Sequence, residues 1–358
     1  MSAIRPWLWL LLLVSVGGAF WYRSTVPTKP ESTKKQVTRA VFVTGGDSNF
    51  WKLTVLGAEA AAKAHNVELQ VEMLTAAEQA DEQLKLLAKI DHDAIDGCAV
   101  SPLDAEKQTP LLNSLAKDMH LVTFDSDASQ SDRQYYVGTS NYNAGKFVGD
   151  MVRKALPEGG KVCVLIASLS KGNLQERIEG YEKSMQNAQA DATETDPRWQ
   201  TVAILTDDGD PAKAEQNVLQ ALQANEDLDC FVGLNGWQGP AILKGLADKD
   251  LLNKVKIVAF DEDPETLQGI VDGSVHATIA QDPFNYGYEA IRILACLQNN
   301  KTSELPSAKR GEINVNCEVI RQANVEEFKE RLEKRLSPAG EQETPEEGES
   351  EATSSRTT

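Results

Sequence analysis

Residues 255–290 read VKIVAFDEDPETLQGIVDGSVHATIAQDPFNYGYEA. The run 255–260 is almost wholly apolar, as expected of a strand buried on both faces. It ends on Asp261. Pro264 then suits the first turn of a helix extending through Ile270, and Gly273 closes that helix. Residues 275–280 repeat the strand pattern and end on Gln281, followed again by a proline and a helical spacing. Two successive buried strands therefore each offer a polar side chain at the carboxyl end. Open α/β sheets bind small ligands at that end. Asp261 and Gln281 would also serve as plain helix caps.

The same alternation extends outward from this stretch. Strand patterns at 40–44, 67–74, 95–100, 121–124 and 135–138 are interleaved with helical spacings at 53–65, 77–90 and 104–119. The pattern restarts with a helix at 141–156. Strands at 161–167, 201–206 and 230–234 then alternate with helices at 175–188, 211–223 and 239–251. Such alternation predicts parallel, doubly wound sheets with right-handed crossovers. Its repetition predicts an α/β protein of two similar lobes with a cleft between them. After Pro306, a last strand is expected over 312–320 and a last helix over 325–336.

The 358 residues leave room for two domains, and 41% hydrophobic with 25% charged residues is a globular composition. A formal charge of −18 argues against a nucleic-acid or anionic-lipid partner. Residues 337–358 carry six glutamates against one arginine and almost nothing to bury, so a disordered acidic tail is expected. At the other end, Arg5 precedes an apolar run, 6–22, with Trp7, Trp9, Trp21 and Tyr22 near its ends. Its length of about 17 residues is the lower limit for a spanning helix, and the aromatics suit the two bilayer interfaces. A signal peptide cut near Gly17 and Ala19 fits the same run. Residues 1–36 are thus expected to be a signal peptide or membrane anchor followed by a flexible spacer, with the remainder exported. The five cysteines show no CxxC or metal-ligand spacing. Cys98, Cys163 and Cys230 lie inside apolar runs, as buried thiols do. Cys296 and Cys317 are the pair that export would oxidise.

Polar and aromatic side chains gather at the strand ends. After the first strand comes Asp47-Ser48-Asn49-Phe50-Trp51, whose adjacent rings either join the core or stack on the C–H face of a ligand. The fourth strand ends on Asp125, beside Ser126 and Asp127. Arg177 stands on the first turns of a helix, and the strand 230–234 leads into Asn235 and Trp237. Carboxylates accept hydrogen bonds from hydroxyls, Arg donates to them, and amides do both, so this set suits a polyol.

Seven stretches, in order, resemble periplasmic sugar-binding proteins of the ribose-binding type, the receptor components of ABC importers. They are GGDSNFW (45–51), TFDSDAS (123–129), YYVGTSNYNAGKFVGD (135–150), NLQERIEGY (173–181), GLNGWQG (233–239), VAFDEDPETLQGIVDG (258–273) and ATIAQDPFNYGYEA (277–290). The resemblance implies the type I periplasmic binding fold: two Rossmann-like lobes joined by a three-strand hinge and closing over a monosaccharide. It places the crossings near Thr139-Ser140, Gln281-Asp282 and Asn314-Val315. The N-terminal lobe would then be 37–139 with 282–314, and the C-terminal lobe 140–281 with 315–336. The resemblance assigns ring stacking to Phe50 and Trp51, and polar contacts to Asp125, Arg177, Asn235, Asp261 and Gln281. Asp47 and Ser48 fall in the polar loop before the rings. Two positions depart from the family pattern. Ser126 stands where ribose binders have an Arg, which removes a charged donor. The loop Asp207-Asp208-Gly209-Asp210 lacks the expected aromatic, and Trp237 offers a stacking face from a neighbouring loop. The partners implied are a monosaccharide and a membrane permease, with no cofactor, metal or nucleic acid. The protein is expected to be a monomer in the periplasm, free or tethered to the outer face of the inner membrane.

Other classes use the same residues. In a glycoside hydrolase, Asp125 and Asp261 would be the paired carboxylates, but nothing in the sequence visibly raises the pKa of either. Asp261, Glu262 and Asp263 would offer oxygens to a hard metal, but consecutive side chains point apart and a solvated turn accounts for them. A tethered sensory receptor for a cyclitol or an autoinducer-2-like furanosyl signal fits the same fold.

Overall fold

The computed structural model describes residues 37–75, 79–169, 171–187, 198–306 and 309–336. The expected leader, 1–36, and the expected acidic tail, 337–358, lie outside them. One sheet contains β1 (Thr38–Val43), β2 (Val67–Glu72), β3 (Gly97–Val100), β4 (His120–Phe124), β5 (Tyr135–Gly138) and β11 (Glu312–Asn314). Their order is β11-β5-β4-β3-β1-β2, and every pair is parallel. The second sheet repeats that order with β6 (Gly160–Ile166), β7 (Trp199–Thr206), β8 (Cys230–Gly233), β9 (Lys256–Phe260), β10 (Ala277–Ala280) and β12 (Glu318–Ile320), as β12-β10-β9-β8-β6-β7. Here β12 runs antiparallel to β10, a departure from the all-parallel expectation. The central strands β3, β8 and β10 are buried at every residue, which is why they carry no polar–apolar alternation.

The helices are α1 (Asn49–His65), α2 (Ala80–Leu87), α3 (Ala105–Leu115), α4 (Asn141–Ala155), α5 (Gly172–Asn187), α6 (Pro211–Ala224), α7 (Gln238–Ala247), α8 (Pro264–Val271), α9 (Pro283–Gln298) and α10 (Val325–Leu336). Three of them, α6, α8 and α9, open on proline behind an aspartate. Asp210, Asp263 and Asp282 accept from the backbone N–H of Ala212, Glu265 and Asn285 respectively. The caps of α8 and α9 are therefore Asp263 and Asp282. Asp261 and Gln281 cap nothing and are left for other roles.

Several element boundaries differ from expectation by a few residues, and two of the differences bear on the candidate site. Helix α1 starts four residues before Leu53, so Phe50 and Trp51 stand in its first turn rather than in the preceding loop. The single strand expected over 312–320 is two strands, β11 in the first sheet and β12 in the second, with the chain passing between sheets at 315–317.

The chain also changes sheet at two earlier points. Helix α4 follows β5 of the first sheet, yet Val148 and Val152 pack with Val162 and Val232 of the second. Helix α9 follows β10 of the second sheet, yet Tyr286, Ile291 and Leu294 pack with Phe42, Ala99 and Val122 of the first. In that first core Phe42 and Phe124 stack with centroids 4.4 Å apart. Phe328 and Leu332 of α10 pack on the second sheet's core.

The helices beside the crossings approach unusually closely. A Cβ on Gly57 of α1 would lie 1.8 Å from the Phe284 carbonyl oxygen of α9. One on Gly145 of α4 would lie 2.0 Å from the Arg177 carbonyl oxygen of α5. Only glycine permits either approach.

All five cysteines are free thiols. The expected Cys296–Cys317 bond is absent because Cys296 packs in the first core and Cys317 against the second. Among the described residues, no helix is long and apolar enough to cross a membrane.

The Gly57 contact leads to a test. Gly57→Ala should cost roughly 2–3 kcal/mol, the upper part of the range for overpacking, read from the urea midpoint. An unchanged midpoint would show that α1 and α9 separate without penalty.

Candidate functional site

In both sheets the strand order reverses beside the first strand, between β1 and β3 and between β6 and β8. Loops leaving the carboxyl ends part there and open a crevice. Buried amides fix those loops. Gln83 donates from Nε2 to the Thr44 and Ser101 carbonyls at 2.9 and 2.8 Å, and its Oε1 accepts from Leu103 N–H at 3.1 Å. Gln238 plays the same part in the second sheet. Its Oε1 accepts from the N–H groups of Leu234 and Asn235 at 2.7 and 2.9 Å, and its Nε2 donates to Asp207. Asn235 ties β8 to β6 by accepting from Ala167 N–H at 2.9 Å.

Asp125 and Asp261 are matched residues at the ends of β4 and β9. Each has a left-handed backbone, with φ of 59° and 64°. Aspartate tolerates that region better than most side chains. Hydrogen bonds on both sides hold the conformation. Their N–H groups donate to the Val137 and Ile279 carbonyls, each at 2.9 Å. Their carbonyls accept from the hydroxyls of Tyr136 at 2.8 Å and Thr278 at 2.7 Å. The Asp125 carboxylate accepts from Ser101 Oγ at 3.0 Å, and that of Asp261 from Gln281 Nε2 at 2.8 Å.

Burial pushes the Asp125 carboxyl up to about 6; the Ser101 hydrogen bond and the Arg177 charge oppose the shift, and Asp261 adds to it. Burial raises Asp261 as well, with Arg177 the largest opposing influence. Neither shift is visible in the sequence. Both arise from surroundings assembled by distant segments.

Arg177, in α5, is buried. Its Nε and Nη2 donate to Asn141 Oδ1 at 3.2 and 2.7 Å, its Nη1 donates to the Leu234 carbonyl, and its guanidinium lies 3.7 Å from the Phe260 ring centroid. Those bonds use three of the five N–H groups of the fork, leaving two. Burial lowers its pKa while the fields of Asp261 and Asp125 hold it up. It makes no ion pair with either carboxylate among the contacts of the described residues.

Asn141 and Ser101, not among the candidates named from the sequence, bond directly to Arg177 and Asp125. Ser101 carried a usable signal, being polar at the carboxyl end of a buried strand. Asn141 carried only its place just after a crossing.

Phe50 and Trp51 are half-buried and meet edge to face at 5.0 Å. Phe50 also meets Tyr286 and Trp51 meets Phe124, each at 6.3 Å. They act both as core residues and as candidate platforms. Asp47 and Ser48 are exposed, and Ser48 makes no side-chain cap bond. Trp237 donates from Nε1 to Asp207 at 3.2 Å, which sets its ring beside the loop that lacks an aromatic.

Glu262 contradicts the solvated-turn expectation. It is buried, its Oε2 has no partner among the described residues, and burial next to Asp261 holds its pKa well above the usual range. No group of three or more potential metal ligands occurs among the described residues.

A cavity of about 1050 Å³ lies against this cluster. Ser126 and Asp127 line it from the loop after β4, Tyr136 from β5, Asn141, Lys171 and Glu176 from the start of α4 and α5, Thr139 and Ser140 from the segment between β5 and α4, and Asn314 from the end of β11. Gln281 and Asp282 line a separate cavity of about 90 Å³. Asp125, Arg177, Asn235 and Asp261 do not line the large cavity; they reach it through neighbours, since Ser126 donates to Asp125 and Arg177 donates to Asn141, and Arg177 is linked to Asp125 and Asp261 by their fields rather than by hydrogen bonds.

The Asp125 shift has a pH consequence. Its folded pKa, about 6, exceeds the unfolded value of about 3.9, so the folded state retains a proton that the unfolded state has released. Stability from this group is present below the unfolded value and is lost as pH rises from about 4 to about 6. Asp125→Asn should remove this component, so the melting temperature of the variant should fall less than that of the parent between pH 4.5 and 7. Parallel profiles would refute the assignment.

A family model described as "Periplasmic binding protein domain" matches residues 39–302. The ribose import binding protein RbsB of Salmonella typhimurium is 25% identical over 173 residues, 48% of this chain and 55% of that protein, so the match spans about half of that relative. The D-allose-binding periplasmic protein of Escherichia coli is 22% identical over 254 residues, 68% of this chain and 79% of that one. Among solved structures, GanP, a glucose-galactose binding protein from Geobacillus stearothermophilus, has a TM-score of 0.72 at 26% identity, covering 81% of this chain and 99% of that one. AraP, an arabinose binding protein from the same organism, gives 0.69 at 26% identity, with 82% and 99% covered. With two repeated α/β sheets and a family match across both, the chain belongs to the periplasmic binding protein domain family, type I fold.

Proposed function

We propose that the protein is an extracytoplasmic solute-binding protein that holds a monosaccharide between its two lobes and delivers it to an ABC importer. The observation that carries this reading is the Asp125–Arg177–Asp261 cluster. It combines a carboxylate from the strand ends of each sheet with a guanidinium that keeps two N–H groups uncommitted. Sugar hydroxyls donate to the carboxylates, and Arg177 donates to a sugar oxygen. Phe50 and Trp51 supply an apolar face from the first lobe, and Trp237 a second ring near Asp207. The lobes are taken as 37–139 with 282–314, and 140–281 with 315–336.

A ligand that touches both lobes gains its full set of contacts only when they close, so binding shifts the lobes toward closure. The relatives named above are described as binding ribose, allose, glucose-galactose and arabinose, which supports a sugar as the class of ligand. Ser126, with no charge to donate, favours a sugar other than ribose. Each of those relatives is described as a binding protein, which supports reading the Asp125 shift as a result of burial rather than as a catalytic acid. Residues 1–36 serve as the export signal or anchor on this reading.

The test is a thermal-shift screen of the full chain against pentoses, hexoses, deoxy sugars and inositols. A sugar at 100 times its dissociation constant should add about 2.7 kcal/mol. Asp261→Asn, which keeps the left-handed backbone acceptable, should weaken binding at least tenfold, since a hydrogen bond to a charged group contributes about 1.5–3 kcal/mol. Absence of any stabilising sugar, or parental affinity in the variant, would contradict the proposal. Consumption of the bound sugar on long incubation would point to hydrolysis instead.

A further inference from the structure

Tyr286 sits where the segments joining the two sheets meet. It is wholly buried, and its one O–H donates between Thr139 Oγ1 at 2.6 Å and Gln281 Oε1 at 3.1 Å. The Thr139 hydroxyl donates onward to the Val315 carbonyl at 3.0 Å. That commits its single proton, so Thr139 Oγ1 can only accept from Tyr286. On the other side, Gln281 Nε2 donates to Asp261 Oδ1 at 2.8 Å. One run of hydrogen bonds therefore starts at the Asp261 carboxylate and passes through Gln281 and Tyr286 to Thr139 and Val315. Gln281, Thr139 and Val315 each belong to a different joining segment.

A phenylalanine would fill the same space, so packing alone does not account for the hydroxyl. Without it, Thr139 Oγ1 and Gln281 Oε1 would lose their donor, and Gln281 would be released from the rotamer that presents its amide to Asp261. The ring itself stays placed by its edge contact with Phe50.

We infer that Tyr286 is a positioning residue for ligand binding: its hydroxyl couples the Asp261 carboxylate to all three segments that join the lobes. The inference rests on the cleft reading above. When a ligand engages Asp261, the joining segments are held in the matching arrangement through this run, and when they rearrange, Asp261 loses its aim.

The test uses the full chain and the tightest binder among D-ribose, D-allose, D-arabinose, D-glucose and D-galactose. Affinities are measured by calorimetry at 20 °C, and stability by the urea midpoint. Tyr286→Phe should bind roughly three- to tenfold more weakly, the effect of one neutral hydrogen bond. Gln281→Leu should also weaken binding, and the double variant should lose less than the product of the two factors, because both interrupt one run. A purely structural role would lower the urea midpoint and leave affinity at 20 °C unchanged. Parental affinity in Tyr286→Phe, or multiplicative losses in the double variant, overturns the inference. If Tyr286→Phe fails to fold, Thr139→Val removes the same bond from its other end and is judged by the same criteria. Where none of the five binds, the tightest binder of the broader screen takes their place, and absence of any binder for the parent overturns both the inference and the cleft reading, which the parent control alone reveals.

Discussion

A guanidinium taken out of water must be compensated, and much of the site follows from how Arg177 is compensated. Burial alone lowers its pKa and disfavours its charge. Asn141, at the start of α4, and the Leu234 carbonyl, at the end of β8, take its hydrogen bonds, and Phe260, the last residue of β9, takes its flat face. The carboxylates of Asp261 and Asp125 supply the opposing field. Holding Asn141 against Arg177 requires α4 and α5 to lie almost backbone to backbone, which the bare Cα of Gly145 allows. A larger residue there would push apart the helix that carries the arginine and the helix that carries its principal acceptor.

The two sheets solve the same problem with matched parts. Each repeats one strand order, fixes its crevice loops with a buried glutamine, and ends its fourth strand on a left-handed aspartate whose carbonyl a hydroxyl holds. Because the aspartates come from opposite sheets, their charges repel across the gap, and Arg177 offsets the repulsion. That balance leaves two acceptors and the uncommitted donors of Arg177 within one another's fields, the set of groups that the proposed polyol ligand would use.

Much of this was legible in the residues. The alternation of apolar strands with helical spacings located both sheets, because burial on two faces leaves a strand no polar positions except at its end. Asp125, Asn235, Asp261 and Gln281 stood out for that reason. The start of α1 carries no periodic signature, because 49–52 is polar and aromatic rather than regularly apolar. The three-residue strands β11 and β12 were too short to separate by pattern. The partners of Arg177, the run through Tyr286 and the burial of Glu262 depend on segments distant in sequence, and so does the Asp125 shift. Tyr286 read as an ordinary helix residue, since its hydroxyl gains meaning only when Thr139, over a hundred residues earlier, reaches it.

The proposed function requires that a sugar draw the two lobes together around Asp125, Arg177 and Asp261. Small-angle scattering of the full chain, with and without a saturating sugar from the stabilising set, measures this directly. The radius of gyration should contract on saturation in the parent protein. An unchanged radius at proven saturation would contradict closure around this cluster and place the binding elsewhere.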